Sequence, residues 1–177
     1  MKRFFLLAGA SCVLAFTGCV FDPFTSPAET RTQILSAREI HMRPDSMFYN
    51  PDLLGSSTFG FQVVPGARDL FEYHHKAADK IGLADDEFSE SLFFLVDKGT
   101  RELTMDSASF AHHRVLYVPH SFSPAKYGVI DRGTIRVVRT GVGRYFVEAD
   151  VSYELRYLED SLQTGRGHLK FKQNFKF

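Results

Sequence analysis

The sequence has no tryptophan, two cysteines and no excess of charge of either sign, with 21 basic against 21 acidic side chains. Each shortage excludes something. A balanced charge leaves no basic surplus to hold nucleic acid through its phosphates. The apolar run from Phe4 to Phe16 falls short of the roughly 20 residues that a membrane-spanning helix needs. No HExxH is present, and Gly55-Ser56-Ser57-Thr58-Phe59-Gly60 is not the GxSxG of a nucleophile elbow. Gly141-Val142-Gly143 leads into a strand pattern where a phosphate loop requires a helix N-terminus. What the chain does have is phenylalanine, 18 of them, in a composition 44% hydrophobic. That is enough apolar matter for a packed core rather than a disordered chain.

The first residues form a unit of their own. Lys2 and Arg3 precede the apolar run, which closes on Thr17-Gly18-Cys19. A charged head, a greasy middle and a small-residue exit make a secretory signal. The ending Ala15-Phe16-Thr17-Gly18-Cys19 resembles the lipobox of bacterial lipoproteins, with Phe16 where leucine is usual. The resemblance implies cleavage just before Cys19, a diacylglycerol on its sulfur and an acyl chain on its new amine. Two or more chains anchor a protein stably where one does not. Val20 stands where an aspartate would favour inner-membrane retention, so the resemblance implies lipid anchoring in the outer membrane, on its periplasmic face. It covers the leader alone. Cys12 would leave with the leader and Cys19 would be modified, so no internal disulfide is expected. No cofactor is expected beyond those covalent chains.

The expected organisation is a signal over 1–18, an acylated tether over 19–32 and one mostly-β domain over 33–177. Pro23 and Pro27 break regular structure in the tether. Loss of Lys2 and Arg3 leaves 19 basic against 21 acidic side chains, a formal charge of −2.

Within the domain, Gln33 to Met42 and Thr58 to Val64 read as strands, the second closed by Pro65-Gly66. Ala67 to Ile81 reads as a helix. Leu70, Phe71, His74, Ala77, Ala78 and Ile81 recur at helical spacing, and Gly82 follows where a left-handed cap belongs. Glu87 to Asp97 suits a buried strand better than a helix, because Leu92 to Val96 is a short continuous apolar run. Arg101 to Met105 and Arg114 to Val118 are further strands, with Ser121 to Gly128 a loop.

After Gly133 the pattern is strict. Thr134 to Arg139 is a strand, Gly141-Val142-Gly143 turns, and Arg144 to Tyr157 alternates. Tyr145, Val147, Ala149, Val151, Tyr153, Leu155 and Tyr157 share one face. Beyond a polar connection containing Gly165 and Gly167, the last strand sends Leu169, Phe171, Phe175 and Phe177 to one side. Alternation of this kind predicts an antiparallel sheet with one apolar face. The pattern proposes Val137 opposite Val147 and Arg136 opposite Glu148. It also proposes Leu155 opposite Leu169, which places Glu154 by Lys170 and Glu148 by Lys176. The residues Arg136, Glu148, Glu154, Lys170 and Lys176 then form a self-neutralising outer row. The predicted fold is mostly β (α+β). It is an antiparallel sandwich or partial barrel with a C-terminal β-meander and one covering helix.

Candidate chemistry rests on histidine. His74, His75, His112, His113 and His120 fall in two adjacent pairs and a single residue, near carboxylates such as Glu72 and Asp85. Zinc and copper sites use such groups, but adjacent histidines diverge on a helix, and no ligand spacing of a known motif is present. The leading expectation is a non-enzymatic envelope lipoprotein. It would bind a partner protein, an envelope polymer or an apolar ligand, with the membrane reached through its anchor and no nucleic-acid partner. A periplasmic metal-binding or hydrolytic protein using the histidine pairs is the first alternative. The second is a small outer-membrane barrel, suggested by Phe171, Phe175 and Phe177 at the chain end and by Tyr145 and Tyr157 as girdle residues. Against the barrel stand Gln173 on the apolar face and too few long strands.

Overall fold

The computed structural model describes residues 25–49, 57–80, 88–120, 126–157 and 164–177. Cys19, with the leader and the tether as far as residue 24, lies outside them, as do Ile81 and Gly82. Eleven strands lie among the described residues: β1 Thr25–Ser26, β2 Glu29–Tyr49, β3 Ser57–Pro65, β4 Arg68–Lys76, β5 Asp79–Lys80 and β6 Ser89–Val96, then β7 Glu102–Asp106, β8 Leu116–His120, β9 Lys126–Gly141, β10 Arg144–Tyr157 and β11 Thr164–Lys176. The chain is mostly β, and every ladder is antiparallel. β2 begins at Glu29, inside the stretch read as a tether.

The main sheet runs β11-β10-β9-β8-β6-β4-β2-β3, with β7 added beside β9. It curls until β11 meets β2. Stepping across the ladders from Thr32 leads through Tyr73, Leu92, Tyr117, Gly128 and Leu155 to Gly165 on β11. Yet the Thr32 hydroxyl donates to the carbonyl of Asn174, much further along that strand, at 2.8 Å. A sheet that closes on itself needs such a stagger, because its strands must tilt.

The covering helix is not there: Arg68–Lys76 is a strand, paired with β2 on one side and β6 on the other. The physical reason is burial on both faces. Phe71 and Tyr73 point into the main core, while Leu70 points into a second core on the opposite side. Two buried faces erase the period of two, and what is left of Leu70, Phe71 and His74 mimics helical spacing. β6 shares this position, with Leu92, Phe94 and Val96 inside and Phe93 and Leu95 outside.

The second core exists because β2 bends. Its first half pairs with β4 and its second half with β3, and the β4 register jumps between Leu35 and Arg38. Ala37 takes a left-handed φ of 57° at the jump. Its carbonyl accepts from the Gly66 N–H at 2.9 Å. The bend brings Ile40 and Phe61 over Phe93, whose ring lies 5.2 Å from that of Phe61.

The main core fills the inside of the curl with aromatic rings. Phe71 stacks on Phe94 at 5.1 Å and meets Phe175 at 5.6 Å and Tyr145 edge-on at 5.3 Å. Tyr73 stacks on Phe171 at 3.9 Å. These contacts join β4 to β11 across the interior and hold the curl shut. Burying each such ring contributes about 1.5–3 kcal/mol.

On the meander, Val137 lies opposite Val147 and Arg136 opposite Glu148, the pairing that the turn at Val142 proposes. The β10–β11 register differs from the one the pattern proposes. Val151, not Leu155, faces Leu169; Ala149 faces Phe171 and Tyr145 faces Phe175. A slip by an even number of residues keeps every side chain on its face, so alternation cannot choose among such registers. Glycine chooses here. Tyr153 lies opposite Gly167, with its ring where a Cβ would stand. Gly128 likewise receives the ring of Tyr117. What reads as a polar connection at Gly165 and Gly167 is strand.

Candidate functional site

Three polar clusters lie on this frame. The first joins β4, β6 and β8 on the outer face of the sheet. Ser91 is 2% exposed. Its Oγ is 3.0 Å from Nδ1 of His74 and 3.3 Å from Nε2 of His120. The two rings are 6.0 Å apart. A hydroxyl has one proton to give, so it donates to one imidazole and accepts from the N–H of the other. Burial pushes both histidines down, His120 to about 4, so both rings are neutral at pH 7. Neutral imidazoles aimed at one point are what a metal would use. Among the described residues, however, no group of three or more His, Cys, Asp and Glu comes together. Ser91 is enclosed too tightly to serve as an accessible nucleophile.

The second cluster lies inside the curl. Tyr117 and Tyr153 stack at 3.8 Å, and their hydroxyls are 2.9 Å apart. The Tyr117 hydroxyl also lies 2.8 Å from Oε2 of Glu90. One proton cannot serve both partners, so Tyr117 donates to the carboxylate and accepts from Tyr153. Burial is the main reason that both phenols stay protonated far above pH 7.

The third cluster is a shallow depression of about 370 Å³ lined by Arg68, Asp97, Ala111, His112 and Arg114. Arg68 donates both Nε and Nη2 to the Glu39 carboxylate at 2.7 Å, and Nη1 to the His112 carbonyl at 2.8 Å. The guanidinium holds the Glu39 carboxyl below its usual range. Arg114 has a left-handed φ of 49°.

The structure separates His74 from His75. His75 turns away from His74 and meets the Thr30 hydroxyl at 3.1 Å. His113 is buried and donates Nδ1–H to the Leu95 carbonyl at 2.9 Å, while His112 is exposed beside it. His112 and His113 stay in contact edge to face at 4.9 Å, and His74 and His120, which are not adjacent in sequence, come within 6.0 Å of each other. Cys19 lies outside the described residues.

The outward charged side chains pair differently from the expected row. Glu148 binds Lys172 at 2.7 Å, not Lys176. Lys170 binds Asp150, not Glu154, and His168 lies 3.2 Å from the same Asp150. Arg136 faces Glu148 across the ladder yet gives its guanidinium to Glu102 at 2.7 Å. Glu154 lies opposite Arg166 and Lys176 opposite Arg144.

Sequence reasoning does not single out Ser91, Glu90, Tyr117, Tyr153 or the Arg68–Glu39 pair. One signal was there to read: Ser91 is a small polar residue abutting the apolar run Leu92–Val96. Glycines spaced two apart near Tyr153 are another. Set against family models, curated proteins and solved structures, the chain has no match.

Proposed function

We propose that this chain is a lipid-anchored cell-envelope protein that works by binding and performs no chemistry of its own. The observation that carries the reading is the leader: Lys2 and Arg3, the apolar run, and Ala15-Phe16-Thr17-Gly18-Cys19. Acyl chains on Cys19 would hold it to the outer membrane, facing the periplasm. Its partner would be an envelope protein or polymer.

The polarity of the sheet supports a water-facing domain on a tether. The curl, read as a partial barrel, packs its apolar side inward and turns Arg136, Glu148, Asp150, Lys170 and Lys172 outward. A barrel that spans a membrane needs the reverse, an apolar band outside. The Ser91 and Tyr117 hydroxyls find their partners within their own clusters, and the Arg68 guanidinium is held by Glu39 and the His112 carbonyl, which supports a scaffold over an enzyme.

Intact-mass analysis of the processed protein tests the anchor. The expected product begins at Cys19, carries diacylglycerol and an amide-linked chain, and floats with outer-membrane vesicles. Cys19→Ala should remain unprocessed. A start at another residue, or an unmodified thiol, would overturn the reading.

One observation favours a second reading, that of a metal-binding protein: His74 and His120 converge on Ser91. Stoichiometric zinc or copper, lost in His74→Ala or His120→Ala and retained when His112 and His113 are replaced, would favour it.

A further inference from the structure

The chain enters the fold as a strand, and closer to Cys19 than its prolines predict. Thr25 and Ser26 pair with Lys80 and Asp79, and Glu29 pairs with Lys76. Equal steps back along both strands lead from the Glu29 pair to the Thr25 pair, so β1 and β5 continue the β2–β4 ladder in one register. Pro27 accounts for the gap between them, since it has no N–H to give. Across the ladder from that gap, the Ala77 N–H donates to the Phe88 carbonyl at 2.9 Å, which extends the pairing of β4 with β6. The paired chain therefore reaches back to Thr25.

What lies between Cys19 and Thr25 spans about 20 Å when fully extended. A lipid on Cys19 would keep this end of the curl near the bilayer surface. The ladders set Lys76, Ser89 and His120 at the same end, and Asp69 and Val96 toward the other. β10 runs from the far end, at Arg144, to the entry end, at Tyr157. Its length is about 45 Å, and with the tilt of a closed sheet roughly 35 Å separates the two ends. The turns at Lys98 and Val142 both lie at the far end. Val142 is the more exposed apolar side chain, but the short link to Cys19 leads to the end that carries Phe88, which is 37% exposed.

We propose that the entry end of the curl, β1 and β5 with Phe88, rests on the bilayer that holds the anchor, with the turns at Lys98 and Val142 pointing away from it. The inference rests on the lipid-anchored reading. A short link keeps Phe88 at high effective concentration beside the surface, so one aromatic ring entering the interface is enough to favour this orientation. Lys76 stands opposite Glu29, and Lys80 follows Asp79 in sequence. These cations are matched, and the contact does not call for anionic lipid. The same orientation turns the depression lined by Arg68, His112 and Arg114 away from the membrane, toward a partner in the water phase.

The test uses the acylated protein, whose processing leaves no other free thiol. Ala28→Cys and Ala78→Cys place a fluorophore at exposed positions of the entry end, and Lys98→Cys and Val142→Cys at exposed positions of the far end. Each is reconstituted into phosphatidylcholine vesicles with a nitroxide quencher on the headgroups. The two entry-end labels should be quenched strongly, and the two far-end labels should behave as they do without quencher. Phe88→Ser should weaken the contact about tenfold, read as loss of most of the Ala28 and Ala78 quenching. Its thermal melt should match the parent's, because the bond to Ala77 uses the Phe88 backbone.

Quenching at Lys98 or Val142 as strong as at Ala28 overturns the proposal, since the domain would then lie flat or inverted. So do entry-end labels left unquenched on vesicles with which the protein floats, or quenching that Phe88→Ser leaves unchanged. Failure to float with the vesicles at all is a separate result. It overturns the anchor, and this orientation with it.

Discussion

Tyr117 and Tyr153 lie face to face at 3.8 Å, each with its ring over a cross-strand glycine, Gly128 beneath one and Gly167 beneath the other. This stack links β8 and β9 to β10 and β11. It sets the register of the last hairpin, which alternation leaves open.

Gly167→Ala should therefore cost stability, because the new methyl displaces the Tyr153 ring and there is nowhere for both. Overpacking of this kind costs about 1–3 kcal/mol. Gly165→Ala is the control: its methyl would meet Leu155 at 3.8 Å, an ordinary contact, and should be neutral or stabilising by up to about 1 kcal/mol. Urea denaturation compares them. Equal costs would show that the glycine fit does not set the register.

Tyr117→Phe removes the hydroxyl that joins Glu90 to Tyr153. Two partners lose a bond in a buried site, at about 1–3 kcal/mol for each group left unsatisfied. Tyr153→Phe removes one donor only and should cost less. The two denaturation midpoints decide the order, and a larger loss in Tyr153→Phe would reverse the assignment of donor and acceptor.

The cluster of His74, Ser91 and His120 should make stability depend on pH. Burial holds His120 down to about 4 and lowers His74 in the same direction. An unfolded histidine takes its proton near 6.5, so the unfolded chain binds more protons between about 6.5 and 4. Stability is full above pH 6.5 and is lost as the pH falls through that window. His120 contributes about 2 kcal/mol of the loss once its residual exposure is discounted. Parent and His120→Gln compared by denaturation across this range should differ in slope. Parallel curves would refute the effect.

Arg68 and Arg136 both sit in ion pairs, yet they should behave differently. Arg68 and Glu39 are 17% and 26% exposed and joined by two bonds, while Arg136 and Glu102 are 53% and 59% exposed. Arg68→Ala strands a half-buried carboxylate and frees the His112 carbonyl, at about 2–3 kcal/mol. Arg136→Ala should stay within about 0.5 kcal/mol. Arg68→Lys should recover little, since an ammonium cannot reproduce the fork. Thermal melts of the three variants check the order.

The meander was legible because β10 and β11 bury one face and wet the other, so Val147, Ala149, Val151 and Phe171 alternate with Glu148, Asp150 and Lys170. β4 was not legible, because Leu70 and Phe71 are both buried, one in each core. The histidine cluster was invisible for another reason. Ser91 lies 17 residues from His74 and 29 from His120, and only the neighbouring of β4, β6 and β8 brings them together.

By itself the sequence determined that this is a mostly antiparallel β protein whose last strands bury one face, since a period of two is a local property that each strand carries alone. The expectation of a lipid-bearing Cys19 also belongs to the sequence. Tertiary structure alone decided the curl that sets Thr32 against Asn174, the bend at Ala37, the β10–β11 register and the partners of every buried polar group. These depend on which distant side chains fill the same space, and volume is shared between strands rather than written in any one of them.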